Sequence, residues 1–272
     1  MPATYVVIGN PIAHSRSPQI HAAFAKQTGQ DIVYDRLLAP VDGFAAAVDA
    51  FRAAGGAGAN VTLPFKLDAF DYVDRRSARA EAAGAVNTMV FDGRDAFGDN
   101  TDGAGLVTDL ERNQGLAIAG ARVLLLGAGG AVRGVILPLL GCAPARLVVA
   151  NRTADKARDL AQHFAGRGDV TGCGFADLAG QQFDLVIDGT SAAVGGAAPD
   201  LPRGVFAPGA LAYEMMYGKG ETAFARFALA EGATRVADGL GMLVEQAAEA
   251  FEIWRGVRPD TAPVLAMLRA SP

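Results

Sequence analysis

The stretch NVTLPFK, Asn60 to Lys66, ends in a cation set among alanine, glycine and apolar side chains, directly after Pro64 and Phe65. A lysine on a solvated helix face needs no explanation. One held just past a strand end, beside Asn60 and Thr62, is a candidate for chemistry: an ammonium can stabilise charge building on an oxygen and then protonate it. Polar residues recur at other predicted strand ends: Ser15 and Ser17 in GNPIAHSRSP, Asn87 in GAVNT, Asp102 in GDNTDG. Ligands of open α/β sheets bind at the carboxyl ends of strands. Hydroxyls and amides with one lysine and one aspartate suit a small polyhydroxylated substrate better than a phosphate or a peptide. Taken singly, each of these residues reads as a turn former, and Asn10, Ser15 and Asp102 stand where caps and turns are common.

A second constellation lies at Leu124–Gly134, LLLGAGGAVRG. A fully apolar strand runs into Gly127-Ala128-Gly129-Gly130, and a helix pattern follows. Glycines there let a phosphate approach the backbone, and the N–H groups at a helix start favour a pyrophosphate. Strand before and helix after are the context a dinucleotide site requires. Val132 occupies the place of the third glycine, which predicts a slightly wider spacing of helix and strand. An NAD site expects a carboxylate about 20 residues on. Here Asn151-Arg152-Thr153 stands instead, with Lys156 in the following helical turn. A guanidinium and a hydroxyl suit a 2′-phosphate through charge-assisted bonds, so NADP is expected over NAD. Read structurally, Arg152 would be a surface arginine and Thr153 a helix cap.

Alternating strand and helix patterns must position these groups. Strands are predicted at Thr4–Gly9, Asp31–Leu37 and 58–63, helices at Pro18–Gln27 and Val41–Ala54, a hairpin over 85–99, and a helix from Thr101 to Asn113. Strand, helix, strand, helix, strand implies a parallel sheet with helical crossovers. A second unit starts near Gly120, with strands at Arg122–Gly127, Arg146–Asn151, Phe183–Ser191 and Gly209–Met215 and helices after the glycine turn and at Ala154–Phe164. Helices over Gly241–Trp254 and Thr261–Arg269 close the chain. On the longer one, apolar faces read as core and Gln246 is the exception. The expected class is α/β.

Composition bounds the partners. The chain has 272 residues, 51% of them hydrophobic, enough for one large or two smaller cores. A net charge of −5 argues against a general nucleic-acid binder. No apolar run approaches the roughly 18 residues of a membrane span, the N-terminus lacks a signal-peptide pattern, and Cys142 and Cys173 have neither metal nor redox spacing. The expected setting is cytoplasmic, with no membrane or nucleic-acid partner. His14 and His21 lack a third ligand and read as structural, so no metal is expected. The oligomeric state is not readable, and a homodimer is held open.

Together GNPIAHSRSPQIH, NVTLPFK, GAVNT, GDNTDGAGL, GAGGAVRG, NRT, GTSA, MMYG and DGLGMLVEQAAEAF resemble the shikimate dehydrogenase family, in that family's order and over nearly the whole chain. The resemblance implies an NADP-dependent oxidoreductase that interconverts 3-dehydroshikimate and shikimate on the way to chorismate and the aromatic amino acids. It also implies a mostly parallel N-terminal sheet domain, residues 1–101 and 240–272, which binds substrate and takes back the C-terminal helices, and a Rossmann domain, residues 102–239. By resemblance Lys66 and Asp102 are the catalytic pair. Ser15 and Ser17 hold the substrate carboxylate, Thr62, Asn87 and Gln246 take ring hydroxyls, and Tyr217 lies on the carboxylate side. Gly127, from the glycine turn, joins Gly129, Gly130, Ala131, Asn151, Arg152, Thr153, Lys156, Thr190, Met215 and Gly239 on the cofactor side. Asp188 stands where the family often has asparagine, Ala193 where serine or glycine is common, and Glu214 in a usual aspartate place.

Burial disfavours an ammonium and a neighbouring carboxylate favours it; the residues alone leave open which effect prevails and which of Lys66 and Asp102 carries the proton. The alternatives are a quinate/shikimate dehydrogenase of broader specificity and a non-catalytic NADP-sensing protein. A sensor has no need of both Lys66 and Asp102.

Overall fold

The computed structural model describes residues 2–190, 198–218 and 220–270. The chain divides into two compact units, Met1–Gly105 with Leu243–Pro272, and Leu106–Met242.

In the first unit the elements run β1 (Ala3–Gly9), α1 (Ser17–Thr28), β2 (Ile32–Leu38), α2 (Phe44–Ala53), β3 (Gly56–Val61), α3 (Lys66–Tyr72), β4 (Arg75–Arg76), α4 (Ala78–Ala83), β5 (Thr88–Asp92) and β6 (Asp95–Asp99), and then α5 (Asp102–Thr108) begins. The sheet order is β2-β1-β3-β5-β6-β4. β1 pairs in parallel with β2 and with β3, as the crossover pattern predicts. β5 then joins β3 antiparallel, and β6 joins β5 antiparallel through the two-residue turn Gly93-Arg94, where Gly93 takes φ 58°. The sheet is therefore mixed, because a hairpin and not a crossover extends it beyond β3, and the short β4 closes the edge in parallel with β6. β1 lies between β2 and β3, so chain direction diverges at its carboxyl end, where such sheets bind ligands.

Two helices here lack a clear sequence signature. α3 begins at Lys66 with no side-chain cap on Phe65. α4 has only six residues, although the Ser77 hydroxyl accepts the Ala80 N–H. The predicted helix over 101–113 is split, with α5 ending at Thr108 and a π-helical turn at Asp109–Asn113. There the Asp109 carboxylate, fully buried, accepts from the Asn113 amide and the Tyr213 hydroxyl.

The last part of α9 (Leu240–Arg255) and α10 (Ala262–Ala270) complete the first unit. Trp254 stacks on Tyr5 at 4.5 Å and donates its indole N–H to the Met89 carbonyl. A Cβ at Gly58 would lie 2.6 Å from that carbonyl and 2.8 Å from the indole nitrogen, so glycine permits the contact. His21 is buried nearby, stacked on Tyr34 at 4.1 Å, and neither ring nitrogen has a hydrogen-bond partner among the described residues. Burial lowers its pKa to about 3, the Asn60 side chain offsetting only part of the shift. Its structural role is thus that of a neutral aromatic ring.

The sign of the pH effect follows. The unfolded chain takes up a proton at His21 near the ordinary value of 6.5, and the folded chain does so only near 3. Its contribution to stability is complete above 6.5 and is lost as pH falls through that window, with a limiting slope of about 1.4 kcal/mol per pH unit. Urea unfolding of His21→Phe between pH 7 and 5 should show a shallower loss of stability than wild type; equal slopes would contradict the assignment.

The second unit holds β7 (Arg122–Leu126), α6 (Gly130–Gly141), β8 (Arg146–Asn151), α7 (Ala154–His163), β9 (Val170–Gly174), β10 (Phe183–Asp188), β11 (Phe206–Glu214), α8 (Ala223–Ala230) and β12 (Arg235–Asp238). Its sheet order is β12-β11-β10-β7-β8-β9, and all five pairings are parallel. Counting strands from β7, this is the 3-2-1-4-5-6 order of the Rossmann fold. β9, α8 and β12 have weak sequence patterns. β7 is apolar and almost wholly buried, as both-face coverage requires. Ser191 and Ala193 lie outside the described residues; β10 ends at Asp188.

Candidate active site

Local sequence explains how Lys66 is placed. β3 ends at Val61, and the Thr62 N–H donates back to Ile8. The Leu63–Pro64 peptide is cis, and the Phe65 N–H donates to the Thr62 carbonyl. Phe65 is fully buried, so the next residue is thrown toward the carboxyl end of the sheet. A Cβ on Gly9 would come within 2.6 Å of the Thr62 methyl; glycine there lets the ends of β1 and β3 approach. An ammonium on the first residue of a helix stands at the wrong end of the dipole. Its partner offsets that: Lys66 Nζ donates to Asp102 Oδ2 at 2.5 Å, the side chains being 24% and 12% exposed.

Asp102 starts α5, the favourable end for an anion, and its N–H donates to the Asn100 side chain. Behind it stands Asn87, just before β5. Asn87 Nδ2 donates to Asp102 Oδ1 at 2.8 Å and to Thr101 Oγ1 at 3.0 Å, and lies 3.3 Å from Gln246 Oε1. Asn87 Oδ1 accepts the Thr101 N–H at 2.8 Å. Gln246 is held from its other end by donating to the Leu243 carbonyl. Ser15 and Ser17 share a hydroxyl contact of 3.2 Å, and the Arg36 guanidinium fixes their loop by donating to the Ser15 carbonyl. The structure therefore joins Lys66, Asp102, Asn87 and Gln246 in one hydrogen-bonded group, with Ser15 beside Ser17 and with Thr62 at the end of β3. A further ion-pair chain braces the β6–α5 loop. Arg79 bridges Asp99 and Glu249, and Arg258 reaches Glu249. Burial would raise the Asp99 carboxyl, but Arg79 and Ser77 outweigh it and leave the pKa below the usual value. These contacts span up to 170 residues of chain, and sequence spacing carries no sign of them.

In the second unit Gly127 takes φ 107°. Gly129 is the N-cap of α6 and Gly130 its first residue, and a Cβ on either would meet no atom within 4 Å. That leaves free space over exposed backbone N–H groups at the start of a twelve-residue helix, a cradle that fits a pyrophosphate. Ala131 is exposed beside it. Val132 is accommodated from outside the motif. It is fully buried, and its methyl would lie 2.6 Å from a Cβ on Gly189, so the glycine on the neighbouring strand end makes the room that the motif lacks.

Asn151 ends β8 and donates to the Thr153 carbonyl. Thr153 is the N-cap of α7, with no side-chain cap bond, so its hydroxyl is not spent on the helix. Arg152, Thr153 and Lys156 are exposed, and neither Arg152 nor Lys156 makes an ion pair with a described residue. This is a basic corner where a 2′-phosphate fits. The Thr190 N–H donates to Asp188 Oδ1. The other carboxyl oxygen of Asp188 is buried without a hydrogen-bond partner among the described residues; burial raises the pKa, the Thr190 contacts opposing it. Glu214 is buried and accepts the Thr222 hydroxyl. Gly239 has a packing reason of its own: a Cβ would lie 2.2 Å from the Met215 carbonyl. Tyr217 is 38% exposed in this unit.

The spacing motifs did not single out Tyr34, Thr88 or Thr101. The usable signal for the two threonines was adjacency, each being the hydroxyl residue beside a candidate, in GAVNT and GDNTDG.

A Rossmann unit with a glycine cradle and a basic corner, in one chain with an α/β unit that presents a lysine–aspartate pair among amides and hydroxyls, defines an NADP-dependent oxidoreductase. Residues 7–89 match the family model for the shikimate dehydrogenase substrate binding domain, 109–194 that for shikimate/quinate 5-dehydrogenase, and 239–269 that for the shikimate 5′-dehydrogenase C-terminal domain. Shikimate dehydrogenase (NADP(+)) of Dechloromonas aromatica is 63% identical, over 98% of this chain and 97% of its own. Among solved structures, an Ael1 enzyme from Pseudomonas putida is 48% identical with a TM-score of 0.92, covering 98% of both chains. Shikimate 5-dehydrogenase from Thermus thermophilus, in complex with NADP(H) and shikimate, is 31% identical with a TM-score of 0.86, again over 98% of both. The chain belongs to the shikimate dehydrogenase family.

Proposed function

We propose that the protein is a shikimate dehydrogenase that reversibly reduces 3-dehydroshikimate to shikimate with NADPH, the first unit binding the substrate and the second the nucleotide. The observation that carries this reading is the Lys66–Asp102 pair held by Asn87 beside Gln246. Bound NADPH supplies the hydride. As charge builds on the ketone oxygen, the Lys66 ammonium stabilises it and gives it a proton. Asp102 holds the ammonium in place and accepts from a substrate hydroxyl. Asn87, Gln246 and Thr62 orient the ring through its hydroxyls. Ser15 and Ser17 donate to the substrate carboxylate, with Tyr217 on the same side. In the oxidative direction the same groups work in reverse, Lys66 taking up the alcohol proton.

The cofactor reading assigns the pyrophosphate to Gly127, Gly129, Gly130 and Ala131, and the 2′-phosphate to Asn151, Arg152, Thr153 and Lys156. Thr190, Met215 and Gly239 lie on the nicotinamide side. A cytoplasmic setting fits this reading, both cysteines being free thiols.

The test is to mix the protein with shikimate or quinate and NADP or NAD and follow absorbance of the reduced nicotinamide. Turnover confined to shikimate with NADP is expected; silence with all four pairs would overturn the reading. For the cofactor, a charge-assisted hydrogen bond contributes about 1.5–3 kcal/mol, so Arg152→Ala should raise KM for NADP by about tenfold or more. The dissociation constant of NAD, read by equilibrium titration, should barely change. An equal effect on both nucleotides would remove Arg152 from the 2′-phosphate.

A further inference from the structure

Asn87 faces a problem that its neighbours solve. A primary amide presents an acceptor on one side and donors on the other, and turning it over exchanges them. Only one orientation gives Asp102 a donor; the other sets a carbonyl oxygen against a carboxylate. One group that selects the orientation is immutable, since the Thr101 backbone N–H can only donate and it points at Asn87 Oδ1.

The second is Thr88. It is the first residue of β5, fully buried, and in register with Asn60 on the neighbouring strand. A valine would serve the strand and the packing equally well, and a buried hydroxyl is costly unless bonded. The Thr88 hydroxyl accepts from Asn60 Nδ2 at 3.1 Å and donates to Asn87 Oδ1 at 2.9 Å. Asn60 is itself oriented: its Oδ1 accepts the Tyr34 hydroxyl at 2.7 Å, and its Nδ2 also lies 3.3 Å from the Asn87 carbonyl. Tyr34 is wedged against His21. Donor and acceptor alternate without a break from Tyr34 through Asn60, Thr88 and Asn87 to Asp102 and Lys66.

We propose that Thr88 is a positioning residue: with Asn60 and Tyr34 behind it, it locks the Asn87 carboxamide so that its N–H is delivered to Asp102. This rests on the reading of Lys66 and Asp102 as the reacting pair. Thr88 is fully buried and offers a substrate no surface, so its removal acts on the rate more than on substrate binding.

The experiment compares wild type, Thr88→Val, Thr88→Ser and Tyr34→Phe in steady-state oxidation of shikimate with NADP. Thr88→Val should lose about tenfold or more in kcat, while KM for NADP stays within about twofold. Thr88→Ser, which keeps the hydroxyl, should return to within about threefold of wild type. Tyr34→Phe should fall in kcat in the same direction by a smaller factor. Wild-type kcat in Thr88→Val would overturn the proposal, as would a loss that serine fails to restore. Should Thr88→Val not fold, Tyr34→Phe decides, and an unchanged kcat there would sink the chain of hydrogen bonds. An inactive wild type would instead strike the functional reading on which the proposal stands.

Discussion

Lys66→Ala should lose about 10² to 10⁴ in kcat, the range that positioned acid–base groups supply, while the dissociation constant for NADPH stays within about twofold of wild type. The expectation follows from where the residue stands. Lys66 is the first residue of α3, in the first unit. The glycine cradle and basic corner assigned to the nucleotide belong to the other unit, so the variant keeps the groups expected to bind the cofactor. Truncation leaves Asn87 bonded to Asp102 and Gln246 bonded to Leu243, so the rest of the group should hold its shape. Near-normal turnover of this variant would remove Lys66 from the chemistry. A parallel loss of NADPH affinity would mean that the substitution had disturbed the fold.

Asp102→Asn should cost a comparable factor, at least about 10² in kcat, with little change in secondary structure. The substitution keeps the shape and removes the charge. In the amide orientation that still accepts from Asn87, the new NH₂ faces the Lys66 ammonium, donor against donor. The opposite orientation sets it against Asn87 Nδ2. Neither restores the present network, in which one oxygen serves Asn87 and the other Lys66. Because the two residues act as a unit, the double variant Lys66→Ala/Asp102→Asn should lose little more than the worse of the singles, the non-additivity expected of coupled catalytic groups. Full additivity in steady-state kinetics would mean that the pair does not work together.

Much of this was legible in the sequence, and the reasons are local. The glycine turn after β7 and the hydroxyl and amide residues at strand ends depend on short-range pattern, which a chain displays directly. The parallel core of the first sheet followed from alternation of strands and helices. Less legible were elements with no propensity of their own. β9 reads VTGCG and is a strand because β8 supplies its pairing. α3 and α4 are short, and α3 lacks a side-chain cap. The hairpin was visible, but not that β5 would close antiparallel on β3, which brings Thr88 beside Asn60. The bracing of the site was hidden for a different reason: Arg79 meets Glu249, and Asn87 meets Gln246, across most of the chain. Val132 is a further case. Read against the glycine motif it predicts a looser turn; the room for its methyl comes from Gly189, just past the end of β10, and nothing in the motif points there.

The central claim is that this chain moves a hydride between shikimate and NADP. It is tested most directly with shikimate deuterated at the carbon that bears the oxidised hydroxyl, incubated with the wild-type protein and NADP, followed by mass analysis of the reduced nucleotide. The account predicts that each NADPH formed carries the deuterium. Reduced nucleotide without the label, or no reduced nucleotide at all, would contradict it.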